Sequence, residues 1–241
     1  MATRIDEIAG GIYRISTWQP QYGITFNQFL IADERPALIH TGMRDLHGAI
    51  RNVISEVLDP AKLAYVVLLH WEGDENGGMD QFMKEAPKSE LIGSMLSIQL
   101  NAIGFGLAER ARGFRDGEVL DLGTHKLRFL ETPHVHHWDS MMVLDETSRG
   151  LFPSDLFIQP ADQPPVVTEN LSMPMLDLYR AAGIFAHELP IRQVVDRLEK
   201  MNLAWVHPMH GGSFEQNAFP NYARALRENE FAYRGMLLGR E

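Results

Sequence analysis

Residues 63–70, "LAYVVLLH", form an apolar, β-branched run too short for a helix, which reads as a strand buried on both faces. The run ends in "HWEGDE", which places His70, Glu72, Asp74 and Glu75 within six positions. Charges at the end of a buried strand are costly unless they are paired or hold a metal. This stretch is the main constraint on the fold, because it demands a sheet whose strand ends converge on a polar centre.

Three other segments meet the same demand. His136 sits in "ETPHVHHWDSM", just past a strand; Asp155 ends "GLFPSD"; His210 ends "AWVHPMH". Ligands in α/β architectures bind beyond the carboxyl ends of the strands. One histidine at such a place is ordinarily structural, but four strand ends together with an acid cluster point to a metal site. His70, Glu72 and Asp74 alternate, so in extended chain they share one face. A turn after Asp74 would aim that carboxylate at a second ion, and carboxylates offset the repulsion between paired cations.

The 241 residues contain no cysteine, which excludes disulfides, thiolate zinc sites and iron–sulfur clusters, so any metal must be held by Asp, Glu and the ten histidines. The net charge of -10 argues against nucleic acid and anionic membranes, which need clustered Lys and Arg. No stretch approaches the roughly 18 apolar residues of a spanning helix. Asp6 and Glu7 stand where a signal peptide would carry its apolar core, so the expected location is cytoplasmic. Without a linker or low-complexity tract, 1–241 is expected to form one domain.

"GGIYRISTW", "TFNQFLIAD" and "RPALIHTG" read as successive strands, followed by a helix over "DLHGAIRNVISEVL" that Pro60 closes. "MDQFMKEA" is a short helix, "SELIGS" a strand and "MLSIQLNAIG" a helix. "GEVLDLGTHKLRFLETP" is a hairpin around Gly123, and "SMMVLDETSRGLFPSD" gives two strands. "LDLYRAAGIFAHE" and "IRQVVDRLEKMN" read as helices, "AWVHPMH" as a short strand, and "PNYARALRENEFAYRGMLL" as a terminal helix. The expected class is α/β (α+β), with two packed sheets and helices outside.

The order His-x-Glu-x-Asp, then His, Asp and His, resembles the metallo-β-lactamase superfamily, a four-layered αββα sandwich. Most of its hydrolases have His where Glu72 stands here, and Glu72 is similar to the flavodiiron and oxygen-binding di-iron branch. "TFNQFLI", "TPHVHHWDSM", "LFPSDLF" and "VHPMHG" resemble that branch's further motifs in order. The resemblance implies one metal on His70, Glu72 and His136 and another on Asp74 and His210. Asp155 and an oxo or hydroxo group would bridge the pair. Glu75 stands where the family usually has a histidine and is a candidate ligand or supporting group of the second metal; "NG" after it suggests instead a backbone turn that carries its side chain outward and leaves that metal a water-filled position, which is the expectation. The flavodiiron proteins continue into an FMN-binding flavodoxin-like domain, which is not expected within these 241 residues.

A carboxylate-rich donor set favours iron, or manganese, over zinc. The expected function is therefore a non-haem di-iron protein that binds or reduces dioxygen, with electrons from a separate flavoprotein or rubredoxin-like donor. The alternatives are a dinuclear metal-dependent hydrolase and a non-catalytic oxygen sensor. A homodimer follows from the resemblance alone. His134 and His137 flank His136 and are candidate supporting groups. Trp71, Trp138, Phe185 and His187 are weaker pocket candidates. His207 and His40 read as structural.

Overall fold

The computed structural model describes residues 2–235. One sheet has the order β1-β2-β3-β4-β5-β6-β7: Thr3–Ala9, Ile12–Gln19, Ile24–Ile31, Ala37–Ile39, Tyr65–Val67, Glu90–Ser94 and Ala111–Phe114. It begins antiparallel and becomes parallel from β4 to β7. The second sheet has the order β13-β12-β11-β10-β9-β8. Its strands are Val119–Asp121 (β8), Lys126–Glu131 (β9), Met141–Asp145 (β10), Gly150–Phe152 (β11), Trp205–Val206 (β12) and Phe214–Glu215 (β13). β11 and β12 pair in parallel; the other pairs are antiparallel.

Three apolar clusters mark the three interfaces of a four-layer αββα sandwich. Phe29, Val67, Phe129, Val143 and Phe152 fill the space between the sheets. Helices α1 (His47–Ile54) and α3 (Met79–Glu85) cover the outer face of the first sheet, with Ile50, Ile54, Phe82 and Met83 packed on Val66 and Leu91. On the outer face of the second sheet, Met175, Leu176, Val195 and Tyr222 come from three helices: α5 (Ser172–Ala182), α6 (Glu188–Leu198) and α7 (Phe219–Glu228). The short α2 (Gly73–Asn76) and α4 (Met95–Ser97, extended by a π-turn over Ile98–Ala102) complete the chain order. Near-continuous burial from β2 to β5 follows from these layers, which cover the first sheet on both faces.

Several elements depart from the sequence reading. β1, β7 and β13 were not anticipated. The helix expected over 176–188 ends at Ala182, because Gly183 takes a left-handed φ of 65° and closes it. The terminal helix ends at Glu228, with Asn229 extended; residues 236–238 of the expected helix lie outside the described residues. No helix among the described residues is long and apolar enough to cross a membrane.

Candidate metal centre

The loops that follow β5, β9, β11 and β12 meet at one place. After β5 the backbone bends at Leu69 and His70, is extended at Glu72 (φ -128°, ψ 159°) and then coils into α2. Alternation therefore stops at Glu72, and Asp74 and Glu75 occupy adjacent helical positions. Expecting Glu75 outside was an error: its side chain is fully buried. The backbone does not reverse at Asn76–Gly77, since Gly77 is helical (φ -57°, ψ -33°). The turn is instead pinned to the loop after β4, where the Thr41 backbone N–H and hydroxyl both donate to the Glu75 carbonyl, at 2.6 and 2.7 Å.

The resulting side chains form two groups, with potential ligand atoms mutually within 4.8 Å: His70, Glu72, His136 and Asp155, and Asp74, Glu75 and His210. Asp155 faces both. Its Oδ2 lies 2.9 Å from His136 Nε2 and 3.3 Å from His70 Nε2, while its Oδ1 lies 3.3 Å from His210 Nε2. Glu72 Oε2 is 3.1 Å from His70 Nε2 and 3.2 Å from His136 Nε2. Glu75 Oε2 is 3.4 Å from His70 Nε2, and Asp74 Oδ2 is 3.6 Å from His210 Nε2.

Neighbouring groups set the direction of the imidazoles. His210 Nδ1–H donates to the Thr25 carbonyl at 2.8 Å, which leaves the Nε2 lone pair facing the centre. The strand-end loop that carries it is held by Asn27 and by buried Arg14, both donating to the Gly211 carbonyl. His70 Nδ1 pairs with Ser154 Oγ at 2.7 Å. The Tyr179 hydroxyl accepts from the Phe157 N–H at 2.7 Å and ties the Asp155 loop to α5.

The electrostatics describe a cluster short of positive charge. Burial pushes the Glu75 carboxyl well above its usual range. Glu72 is held down to about 2 by its hydrogen bonds with His136 and His70. Burial opposes charging His136, yet its hydrogen bonds to Asp155 and Glu72 prevail and push it up to about 9. Both Glu75 carboxylate oxygens and Asp155 Oδ1 are buried without a hydrogen bond. Unpaired buried carboxylate oxygens carry a desolvation cost that a cation removes. The donor set therefore fits a pair of divalent metal ions, with Asp155 offering one oxygen to each half.

The remaining candidates divide. The His137 ring lies 5.8 Å from His70 and is hydrogen-bonded through Nδ1 to buried Asp139, so it borders the centre. His134 is exposed. Phe185 is buried with its ring edge-on to His136, at 6.0 Å. Trp71 packs on Phe105, and Trp138 lies tilted beside His137. His187 is not a pocket group: it is exposed and caps α6, accepting from the Leu189 N–H through Nδ1. His207 is a core residue, bonded to Ser213 and surrounded by Phe29, Phe152 and Trp205.

His40 was undervalued in the sequence. Its Nε2 accepts from the Leu69 N–H, and its Nδ1 lies 3.0 Å from Met209 Sδ and 3.9 Å from Glu75 Oε1. The signal that could have found it was its place at the end of "LIHTG", the neighbour of the His70 strand. A cavity of about 210 Å³ opens over Glu72, His136, Asp155 and His210, with walls of Tyr22, Ile24, Ile158, Leu178, Tyr179 and Ile184.

Comparison with known proteins gives the family of the chain. The chain is 29% identical over 138 residues, 57% of its length, to a putative diflavin flavoprotein A 2 of Synechocystis, of which the match covers 24%. It is 27% identical over 230 residues to the nitric oxide reductase of Moorella thermoacetica, covering 85% of this chain and 56% of that protein. The chain thus spans a quarter to about half of the curated relatives it matches. Its fold superposes on the rubredoxin oxygen:oxidoreductase of Desulfovibrio gigas with a TM-score of 0.82 at 23% identity, covering 94% of this chain and 62% of that one. Residues 24–211, which carry every residue of both groups, match the family described as ODP family beta lactamase, and the chain belongs to that family.

Proposed function

We propose that this chain is a non-haem di-iron protein that binds or reduces dioxygen and takes its electrons from a separate partner, a flavoprotein or a rubredoxin-like donor. The observation that carries the reading is Glu72, a carboxylate in the position where a zinc hydrolase of this fold has a histidine. It adds negative charge to a centre already holding Asp74, Glu75 and Asp155, which weakens a metal as a Lewis acid and stabilises an oxidised one.

His70, Glu72 and His136 would hold one iron, and Asp74, His210 and Glu75 the other, with Asp155 shared between them. The pair would supply two adjacent one-electron redox centres. The protein's own contribution is positional. Thr25 and Ser154 fix the imidazoles, and Tyr179 fixes the Asp155 loop. Above them the cavity, about 210 Å³ with mostly aliphatic and aromatic walls, is smaller than the pockets of roughly 300–1,000 Å³ that take drug-sized ligands. It suits a small apolar molecule and offers few donors to an ester or a phosphate. The names of the relatives, a nitric oxide reductase and a rubredoxin oxygen:oxidoreductase, support the same reaction class.

Metal content tests the reading. Protein produced with ample iron should carry about two irons per chain and show no esterase, lactonase or phosphodiesterase turnover. A stable zinc pair, indifferent to iron supply and accompanied by such turnover, would make this chain a hydrolase.

A further inference from the structure

The two halves of the centre differ in chemistry. The His70 half presents two imidazole nitrogens with the carboxylates of Glu72 and Asp155. The His210 half presents one imidazole, with the carboxylates of Asp74 and Glu75 and the free oxygen of Asp155. Glu75 creates this asymmetry, because it stands where the resembling family usually carries a further histidine. Its carboxylate is fully buried, and neither oxygen has a hydrogen-bond partner, so the group is aimed into the centre with its valence unspent. The α2 turn and the paired Thr41 bonds fix the backbone from which the side chain projects.

Manganese(II) binds any mixed nitrogen–oxygen site more weakly than iron(II), and carboxylate donors suit it better than imidazole does. Exchanging an imidazole for a carboxylate therefore narrows iron's advantage in the His210 half and leaves the His70 half iron-selective. We infer that Glu75 is a metal ligand that makes the His210 half less selective for iron than the His70 half, so manganese enters the His210 half first as the manganese-to-iron ratio rises. This rests on the dinuclear reading above but departs from it in the identity of the second ion.

The test is competitive loading. Metal-free protein is given iron(II) with a rising excess of manganese(II) without oxygen, then desalted. Metals are counted by elemental analysis and located in crystals by anomalous scattering at the two absorption edges. The expected result is two metals per chain, with manganese entering the Asp74, Glu75 and His210 half at a lower manganese-to-iron ratio than the His70 half. Glu75→His should keep two metals and lower the manganese-to-iron ratio several-fold. Glu75→Gln, which keeps the volume and removes the charge, should keep the metal in the His70 half and lose the other. Manganese entering both halves at the same ratio, or a ratio that Glu75→His leaves unchanged, overturns the manganese assignment while leaving a di-iron centre standing. Retention of both metals by Glu75→Gln overturns the ligand role. Failure to bind either ion removes the dinuclear reading as well.

Discussion

Thr41 holds the main-chain carbonyl of Glu75 twice, through its backbone N–H at 2.6 Å and its hydroxyl at 2.7 Å. Thr41 and Glu75 are 34 residues apart in sequence, and this contact pins the α2 turn to the loop after β4. Removing the hydroxyl with Thr41→Val should cost about 1 kcal/mol, the usual net value of one buried hydrogen bond. Urea unfolding of the metal-free protein reads it. An unchanged midpoint would mean that the backbone bond alone holds the turn.

Gly77 packs where this turn crosses the loop after β4. A Cβ built there would lie 2.6 Å from Arg44 N and 2.6 Å from Gly73 O. Both are main-chain atoms and cannot swing aside, so Gly77→Ala should destabilise by about 1–3 kcal/mol. The same substitution at Gly48, where a Cβ meets nothing within 4 Å, serves as the control.

Asp155 is the residue common to both halves of the centre. Asp155→Asn should lower metal content in both, whereas Glu72→Gln should strip the His70 half and spare the other. Metal counting with anomalous scattering distinguishes the two patterns. Loss of only one metal from Asp155→Asn would show that the aspartate is not shared.

Much of this arrangement is legible in the sequence, because apolar runs that end in His or Asp mark both the strands and the edge where they meet. β5 and β12 illustrate this: they are short, and His70 and His210 lie just past them. Glu75 was not legible, since its direction depends on Thr41 and on coiling at Gly73 rather than on alternation. His40 was missed for the same reason, as its partners are the Leu69 N–H and Met209. β13 is only two residues long, and β1 is half-exposed with a bulge, so neither carries a clean apolar pattern. The helix over 176–188 was drawn too long because Gly183 looked tolerable inside an apolar run, and the backbone uses it to stop.

His207 predicts an acid sensitivity unconnected with metal. Burial in the aromatic core lowers its pKa from 6.5 to about 3. Below 6.5 the unfolded chain takes up a proton that the folded chain refuses, so this contribution is complete above pH 6.5 and drains away as pH falls toward 3. Between pH 7 and pH 5 the loss from this group should be about 2 kcal/mol. His207→Asn should flatten that part of the pH dependence, whatever it does to absolute stability. An unaltered slope in urea unfolding at the two pH values would assign the effect to other groups.

Oxygen itself gives the most direct test of the central claim. The chain is loaded with iron(II) under anaerobic conditions, and its absorption spectrum and oxygen uptake are recorded on admitting air, with and without a chemically reduced flavoprotein. The account predicts a spectral change dependent on oxygen and abolished in Asp155→Asn. It further predicts that NADH with this chain alone sustains no uptake, and that any sustained uptake requires the added donor. An iron-loaded chain whose spectrum ignores oxygen, with or without the donor, would contradict it.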